Sequence, residues 1–187
     1  VDDHQALVQF LRGLPNLTRS LMGGASEREI PDLLVAALRR DLECSRAMVL
    51  LRRRPTEADP LRGNRLVLAA AQPREPAIQV GAEIPMGEGE LGFAATTQRV
   101  MSRHDFDLEA PATRTRLRQE TPRGFESELL APIVCDEETL GLIAVSGVNR
   151  SLEDAKAVAR FLAQMAGQAL RNAQTLSQMK NTANVDG

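Results

Sequence analysis

The chain has 187 residues, enough for one domain with a substantial core. Its composition, 43% hydrophobic and 26% charged, excludes a disordered chain. A net charge of −2 with a pI near 5.8 excludes broad nucleic-acid binding, which needs a basic face. Residues 5–22 place Leu7, Val8, Phe10, Leu11, Leu14, Leu17 and Leu21 at helical spacing, with Pro15 as a point of kinking. "MGGAS" breaks that pattern, and Ser26 with Glu29 opens a second helix through a capping-box pattern, carried on by Ile30, Leu33, Leu34, Ala37 and Leu38. The period then shortens. "RAMVLLR" (46–52) and "RLVLAAAQ" (65–72) read as a hairpin pair of strands, and "IQVGAEIPM" (78–86) as a third strand. The intervening Arg52, Arg53 and Arg54 read as a solvated strand end rather than a phosphate site.

"GEGELGFAATTQR" (87–99) carries three glycines and then a short helix, and "VMSRHDF" (100–106) reads as extended. Residues 107–124 are polar and Arg-rich, and predict a loop with at most a short helix around Arg114–Glu120. "ESELLAPIVC" (126–135) and "TLGLIAVSGV" (139–148) predict a hairpin across "DEE", with a loop of three or four residues. Pro132 inside the first of these strands marks an edge, bulge or interruption. Ser151 with Asp154 caps a last helix that runs from about Leu152 to about Lys180. Strands grouped between helices, without regular alternation, predict an α+β fold with an antiparallel sheet.

No apolar run approaches the roughly 20 residues of a membrane span, and "VDDHQALVQF" has no leader pattern. Cys44 and Cys135 lie far apart, with no Cys-x-x-Cys or Cys/His cluster, so zinc is not expected. They read as two reduced thiols of a cytoplasmic protein, with a single disulfide as the alternative. A chain that opens on Val1 rather than Met reads as a piece of something longer.

Three stretches in order, "IPMGEGELGFAATTQRVMSRHD", "SELLAPIVCDEETLGLIAVSG" and "SLEDAKAVARFLAQMAGQALRNAQ", resemble the GAF domain family over roughly residues 26–176. The family usually has Phe where Ser151 stands. The resemblance implies an antiparallel sheet of five or six strands. N- and C-terminal helices would cover one face, and a lid of helix and loop the other. It divides the chain into an N-terminal helical segment (1–25), the domain (26–170) and an outgoing segment (171–187). It also implies that any small-molecule ligand sits between the sheet and residues 87–124. The candidate contacts are Thr96, Thr97, Arg103, His104, Arg114, Arg116 and Ser127, among which an Arg pair could clamp a carboxylate or phosphate. Arg114, Arg116 and Arg118 equally read as charges that keep a loop soluble.

No cofactor is implied. The Asn-Lys-x-x-x-Phe-x-x-x-Asp-Glu pattern of cyclic-nucleotide-binding members does not occur, and both cysteines lie outside the lid segment through which bilin-binding members attach their chromophore. A haem would want an axial histidine, and His104, the one in range, reads as a surface residue. Some GAF-like proteins are thiol reductases, but the acidic run Asp136, Glu137, Glu138 beside Cys135 would raise its thiol pKa. No Ser-His-Asp set and no phosphate loop occurs, so catalysis within this chain is not expected.

The last helix carries a second pattern. Ala155, Leu162, Ala169, Leu176 and Ala183 recur every seven residues, as do Val158, Met165, Asn172 and Met179. This a/d heptad predicts a parallel homodimer seam, with Asn172 fixing register. Phe161 and Leu170 fall off the seam and are expected to pack on the domain. "NTANVDG" resembles the junction at which a diguanylate cyclase (GGDEF) domain begins, with Ala183, Asp186 and Gly187 matching its opening. The expectation is a sensory and dimerisation module that controls a C-terminal diguanylate cyclase making cyclic di-GMP. The alternatives are the sensor of a histidine kinase or transcription activator, and a stand-alone thiol reductase.

Overall fold

A computed structural model describes residues 5, 8, 11–12, 17–21, 23–53, 56–60 and 64–185. Its elements are α1 (Ile30–Leu42), β1 (Arg46–Arg53), β2 (Arg65–Gln72), β3 (Glu83–Pro85), α2 (Gly89–Thr97), β4 (Met101–Ser102), α3 (Arg103–Asp107), α4 (Pro111–Glu120), β5 (Leu129–Cys135), β6 (Glu138–Ser146) and α5 (Leu152–Val185). The six strands form one sheet in the order β3-β2-β1-β6-β5-β4, and every neighbouring pair is antiparallel. The α+β class and the antiparallel sheet of the sequence reading are both present.

Strand alternation sorts apolar side chains onto two faces. Ala47, Val49, Ala131, Ile133, Ile143 and Val145 meet α1 and α5 on one side. Met48, Leu50, Leu66, Leu68, Leu130, Leu142 and Ala144 meet the lid elements on the other. Two bulges adjust the alternation. β1 pairs Val49 with Ala70 and Leu50 with Leu68, so Ala69 is an extra residue. Leu140 is skipped in the same way between Ile133↔Gly141 and Val134↔Thr139, and it turns to the helix side. Pro132 stands opposite Leu142, beyond the short β4, which covers only Leu129 and Leu130 of β5. Its missing N–H therefore costs the sheet no ladder bond on that side.

The helix face follows from the sequence. In α1, Ile30, Leu34, Leu38 and Leu42 fall on one stripe and are buried. Half of the expected capping box is present, with the Ser26 amide donating to Glu29 Oε2 at 3.2 Å. At α5 the cap is formed by Ser151, whose hydroxyl donates to Asp154 Oδ2 (2.7 Å) and accepts from the Asp154 amide (3.3 Å). Within the N-terminal segment, residues 17–21 are helical and Leu17 and Leu21 enter the helix-side core; much of the helix expected over 5–22 lies outside the described residues.

Several expectations are corrected. The third strand is confined to Glu83–Pro85, because Ile78 instead closes a turn with Glu75. Residues 103–107 are helical rather than extended, because Ser102 and Asp105 form a full capping box just after β4. The lid segment holds a ten-residue helix, α4, opened by Pro111. The β5–β6 connection is a two-residue turn, Asp136–Glu137, with φ of 51° and 63°. The proposed seam is also redrawn. Val158, Leu162 and Ala169 are buried in the domain's own core, as is Leu170, whereas Phe161 is 38% exposed. Asn172, Leu176 and Met179 are exposed, and Met165 is half-buried. The junction residues Asp186 and Gly187 lie outside the described residues. No helix among the described residues is long and apolar enough to cross a membrane.

Candidate functional site

The lid is built on α2. A Cβ at Gly92 would fall 2.5 Å from the Pro85 carbonyl oxygen and 2.8 Å from the Gly87 amide, so only glycine lets this helix lie against β3. Leu91, Ala94 and Ala95 of α2, Phe106 of α3, Leu117 of α4 and Phe125 then fill the lid-side core. The space between sheet and lid, where a ligand is expected, is occupied by these side chains.

Polar contacts pin the lid elements to one another. The α2 N-terminus is capped from α4: the Gly89 amide donates to Glu120 Oε2 (2.8 Å) and the Glu90 amide to Thr121 Oγ1 (3.0 Å). A carboxylate at the positive end of a helix is favourable in itself. Glu90, only 3% exposed, receives both Nη groups of Arg103, with Nη1 donating to Oε1 at 2.8 Å. Arg103 also donates to the Ser127 carbonyl from Nε (3.0 Å) and Nη2 (2.8 Å), and its guanidinium lies 5.6 Å from the centre of the Phe106 ring. The bond to Glu90 raises the Arg103 pKa further, so this charge is permanent.

Arg103 and Ser127 meet at the lid edge, in an open cleft of about 450 Å³ also lined by Arg46, Glu75, Glu126 and Glu128. Arg46 reaches in from the start of β1, donating from Nη2 to the Glu126 carbonyl and to Ser146 Oγ (3.4 Å), with Glu75 3.9 Å away. Its Nε is buried without a hydrogen-bond partner. The cleft is lined by charged and polar groups but holds no nucleophile–base pair. Ser127 Oγ donates to the Phe125 carbonyl at 3.1 Å, and no histidine or cysteine lines the cleft.

The other expected contacts lie elsewhere. The hydroxyls of Thr96 and Thr97 donate back to Gly92 O (2.8 Å) and Phe93 O (2.9 Å) of their own helix. His104 is exposed. Arg114 donates to the Asp107 carbonyl (2.9 Å), and Arg116 pairs with Glu120 at 3.8 Å on the outer face of α4. Thus two of the seven, Arg103 and Ser127, come together. Arg46 and Glu90 were missed. Glu90 had a legible signal, a lone carboxylate in the otherwise apolar "GELGFAA". The cysteines line neither cleft nor lid: burial pushes the Cys44 thiol up inside the helix-side core, and Cys135 ends β5. Among the described residues no group of His, Cys, Asp and Glu is arranged to hold a metal ion.

A family model described as "GAF domain" matches residues 27–170. No curated protein matches the chain. Among solved structures, the GAF domain of a phosphoenolpyruvate-protein phosphotransferase from Coxiella burnetii is 20% identical, with a TM-score of 0.67 over 90% of this chain and 96% of that one. The corresponding Acinetobacter domain is 17% identical, with a TM-score of 0.66 over 88% and 94%. A free methionine-R-sulfoxide reductase from Neisseria meningitidis, solved with its substrate, is 18% identical, with a TM-score of 0.62 over 93% and 95%. At these identities the likeness is one of fold.

Proposed function

Since this chain belongs to the GAF domain family, whose members are regulatory and sensory modules, we propose that it senses a small molecule at the lid and reports its state through α5 to an output domain. The observation that carries this reading is the course of α5. The helix is buried on its own domain as far as Leu170, then continues to Val185 with Leu176 51% and Met179 65% exposed. Apolar side chains left exposed at heptad spacing on a helix are stabilised by a partner helix. The partner is a second copy, packed in parallel through Asn172, Leu176 and Met179, with Met165 at the margin. Ligand entry rests on Arg103 and Ser127, which tie the lid to the cleft floor and so register its displacement.

The output is a diguanylate cyclase, on the resemblance of "NTANVDG" to that domain's opening. Such catalysis brings two active sites face to face, so it depends on the rotation and spacing of two α5 helices. The full-length protein should convert GTP to cyclic di-GMP. Deleting seven residues, 174–180, shortens the helix by about two turns, preserves its faces and should keep regulation, whereas deleting four, 174–177, rotates the output and should change it. Equal behaviour of the two deletions sinks transmission through a phased helix pair. Autophosphorylation or DNA binding in place of cyclic di-GMP would move the output to a kinase or activator.

A further inference from the structure

The sheet lies between α5 and most of the lid, yet one short element touches both. The Asp136–Glu137 turn between β5 and β6 is held from the lid side by the end of α2. Gln98 Nε2 donates to the Glu137 carbonyl (2.9 Å) and to Thr139 Oγ1 (3.1 Å), and Thr139 Oγ1 donates to the Ala95 carbonyl (2.9 Å). From the helix side the same turn is held by Arg171. Its Nη2 donates to Glu138 Oε2 (2.9 Å) and to the Cys135 carbonyl (3.5 Å), and its Nε faces Asp136 Oδ2 at 3.7 Å.

The position of this grip matters. Leu170 is the last wholly buried residue of α5, and Arg171 follows it. One turn earlier, Gly167 brings α5 so close to β5 that a Cβ there would sit 2.8 Å from the Val134 carbonyl oxygen. Beyond it α5 keeps partial contact with its own domain, through Ala173 and the bond from Gln174 to Glu27 (3.2 Å), so the turn holds the helix where its full burial ends. The turn itself is a two-residue hairpin connection with both central residues left-handed, a conformation that favours Asn-Gly, filled here by Asp and Glu. A turn of disfavoured composition held by side chains from both sides takes its position from those side chains.

We propose that the Asp136–Glu137 turn is a relay: the end of lid helix α2 positions it through Gln98 and Thr139, and it sets the orientation of α5 at the domain exit through Arg171. This rests on the sensory reading above and specifies its route. A second tie at the other end of the lid keeps the start of α5 in place, since Lys156 Nζ lies 2.8 Å from Asp105 Oδ2 of α3. The two ties are fifteen residues apart, about 22 Å along the helix. With its start fixed, movement passed to Arg171 appears as bending or rotation of the exit rather than as sliding of the whole helix.

The test is amide hydrogen exchange on the complete chain in three variants. Gln98→Ala removes the two lid-side bonds that Gln98 makes, leaving Thr139 on the Ala95 carbonyl, and is remote from Arg171 in the hydrogen-bond pattern. It should speed exchange of amides 168–176 by about fivefold or more, the lower range of ordinary coupling between sites. Arg171→Gln should speed exchange at residues 93–98, because it loosens the turn on which Gln98 and the Ala95 carbonyl are held. Arg74→Ala, in the exposed connection between β2 and β3, should change neither segment. Unchanged melting of the variants by circular dichroism separates coupling from general loss of stability, and if Gln98→Ala unfolds, Gln98→Glu replaces it. If each variant loosens only the turn itself, the relay is wrong. The outcome is separable from that of the proposed function: exchange coupling without regulated output leaves the relay standing, and regulated output without coupling leaves the sensor standing.

Discussion

Asp105 joins three bonds in one carboxylate. It accepts from the Ser102 amide (2.8 Å) and hydroxyl (2.9 Å), which caps α3, and from Lys156 across the sheet edge. Partial burial opposes its ionisation, but the bonds from Lys156 and Ser102 outweigh that and hold the carboxyl at about 2. A folded pKa below the unfolded one contributes stability above the unfolded value, and that stability is lost as pH falls through the folded one. Asp105→Asn should therefore cost about 1 kcal/mol at neutral pH, after allowance for solvent screening, and the gap from the parent should close between pH 4 and 2. Urea denaturation at a series of pH values reads this directly. Glu137→Gly should act in the opposite direction. Its left-handed φ of 63° is natural for glycine, and relief of the steric cost, less the added freedom of the unfolded chain, should stabilise the domain by about 0.5–1 kcal/mol.

Among the elements, α5 shows what a pattern can and cannot disclose. Its heptad was legible, but a stripe that packs on a domain and one that packs on a partner helix have the same spacing. Burial divides them: Val158, Leu162 and Ala169 belong to the core, and Leu176 and Met179 do not. Leu162→Ala should accordingly lower stability by about 2–5 kcal/mol, whatever the oligomeric state. Leu176→Glu with Met179→Glu should leave the melting of the domain unchanged and convert dimer to monomer in light scattering; a dimer that persists would place the interface elsewhere. Strands and helices with a clean period, such as β5, β6 and α1, were readable from residue type. The bulges at Ala69 and Leu140 were not, since an extra residue in a run of small or apolar ones leaves no mark. The α3 helix was hidden because its Ser102–Asp105 box follows a strand of two residues.

At the scale of the whole molecule, the layer arrangement was legible and the site largely was not. Pattern located the lid, but which polar side chains meet at its edge depends on packing of segments remote in sequence: Arg46 and Arg103 line one cleft because the start of β1 and the β4–α3 corner lie at the same end of the sheet. A ligand that enters beneath the lid must displace Leu91, Phe106 or Leu117 from the lid-side core. Binding should therefore alter amide exchange throughout residues 100–124. Protection confined to α5 and the N-terminal helix would show that the molecule binds on the other face.

The two cores on either side of the sheet have a consequence for how such a protein can diverge. Neighbouring residues of one strand, Val49 and Leu50 for example, answer to different compartments, one shared with the helices and one with the lid. A lineage can therefore exchange the side chains beneath the lid while the helix-side residues, and with them the course of α5, stay as they are. The chemistry under the lid and the seating of the helices become separately heritable traits of a single small domain.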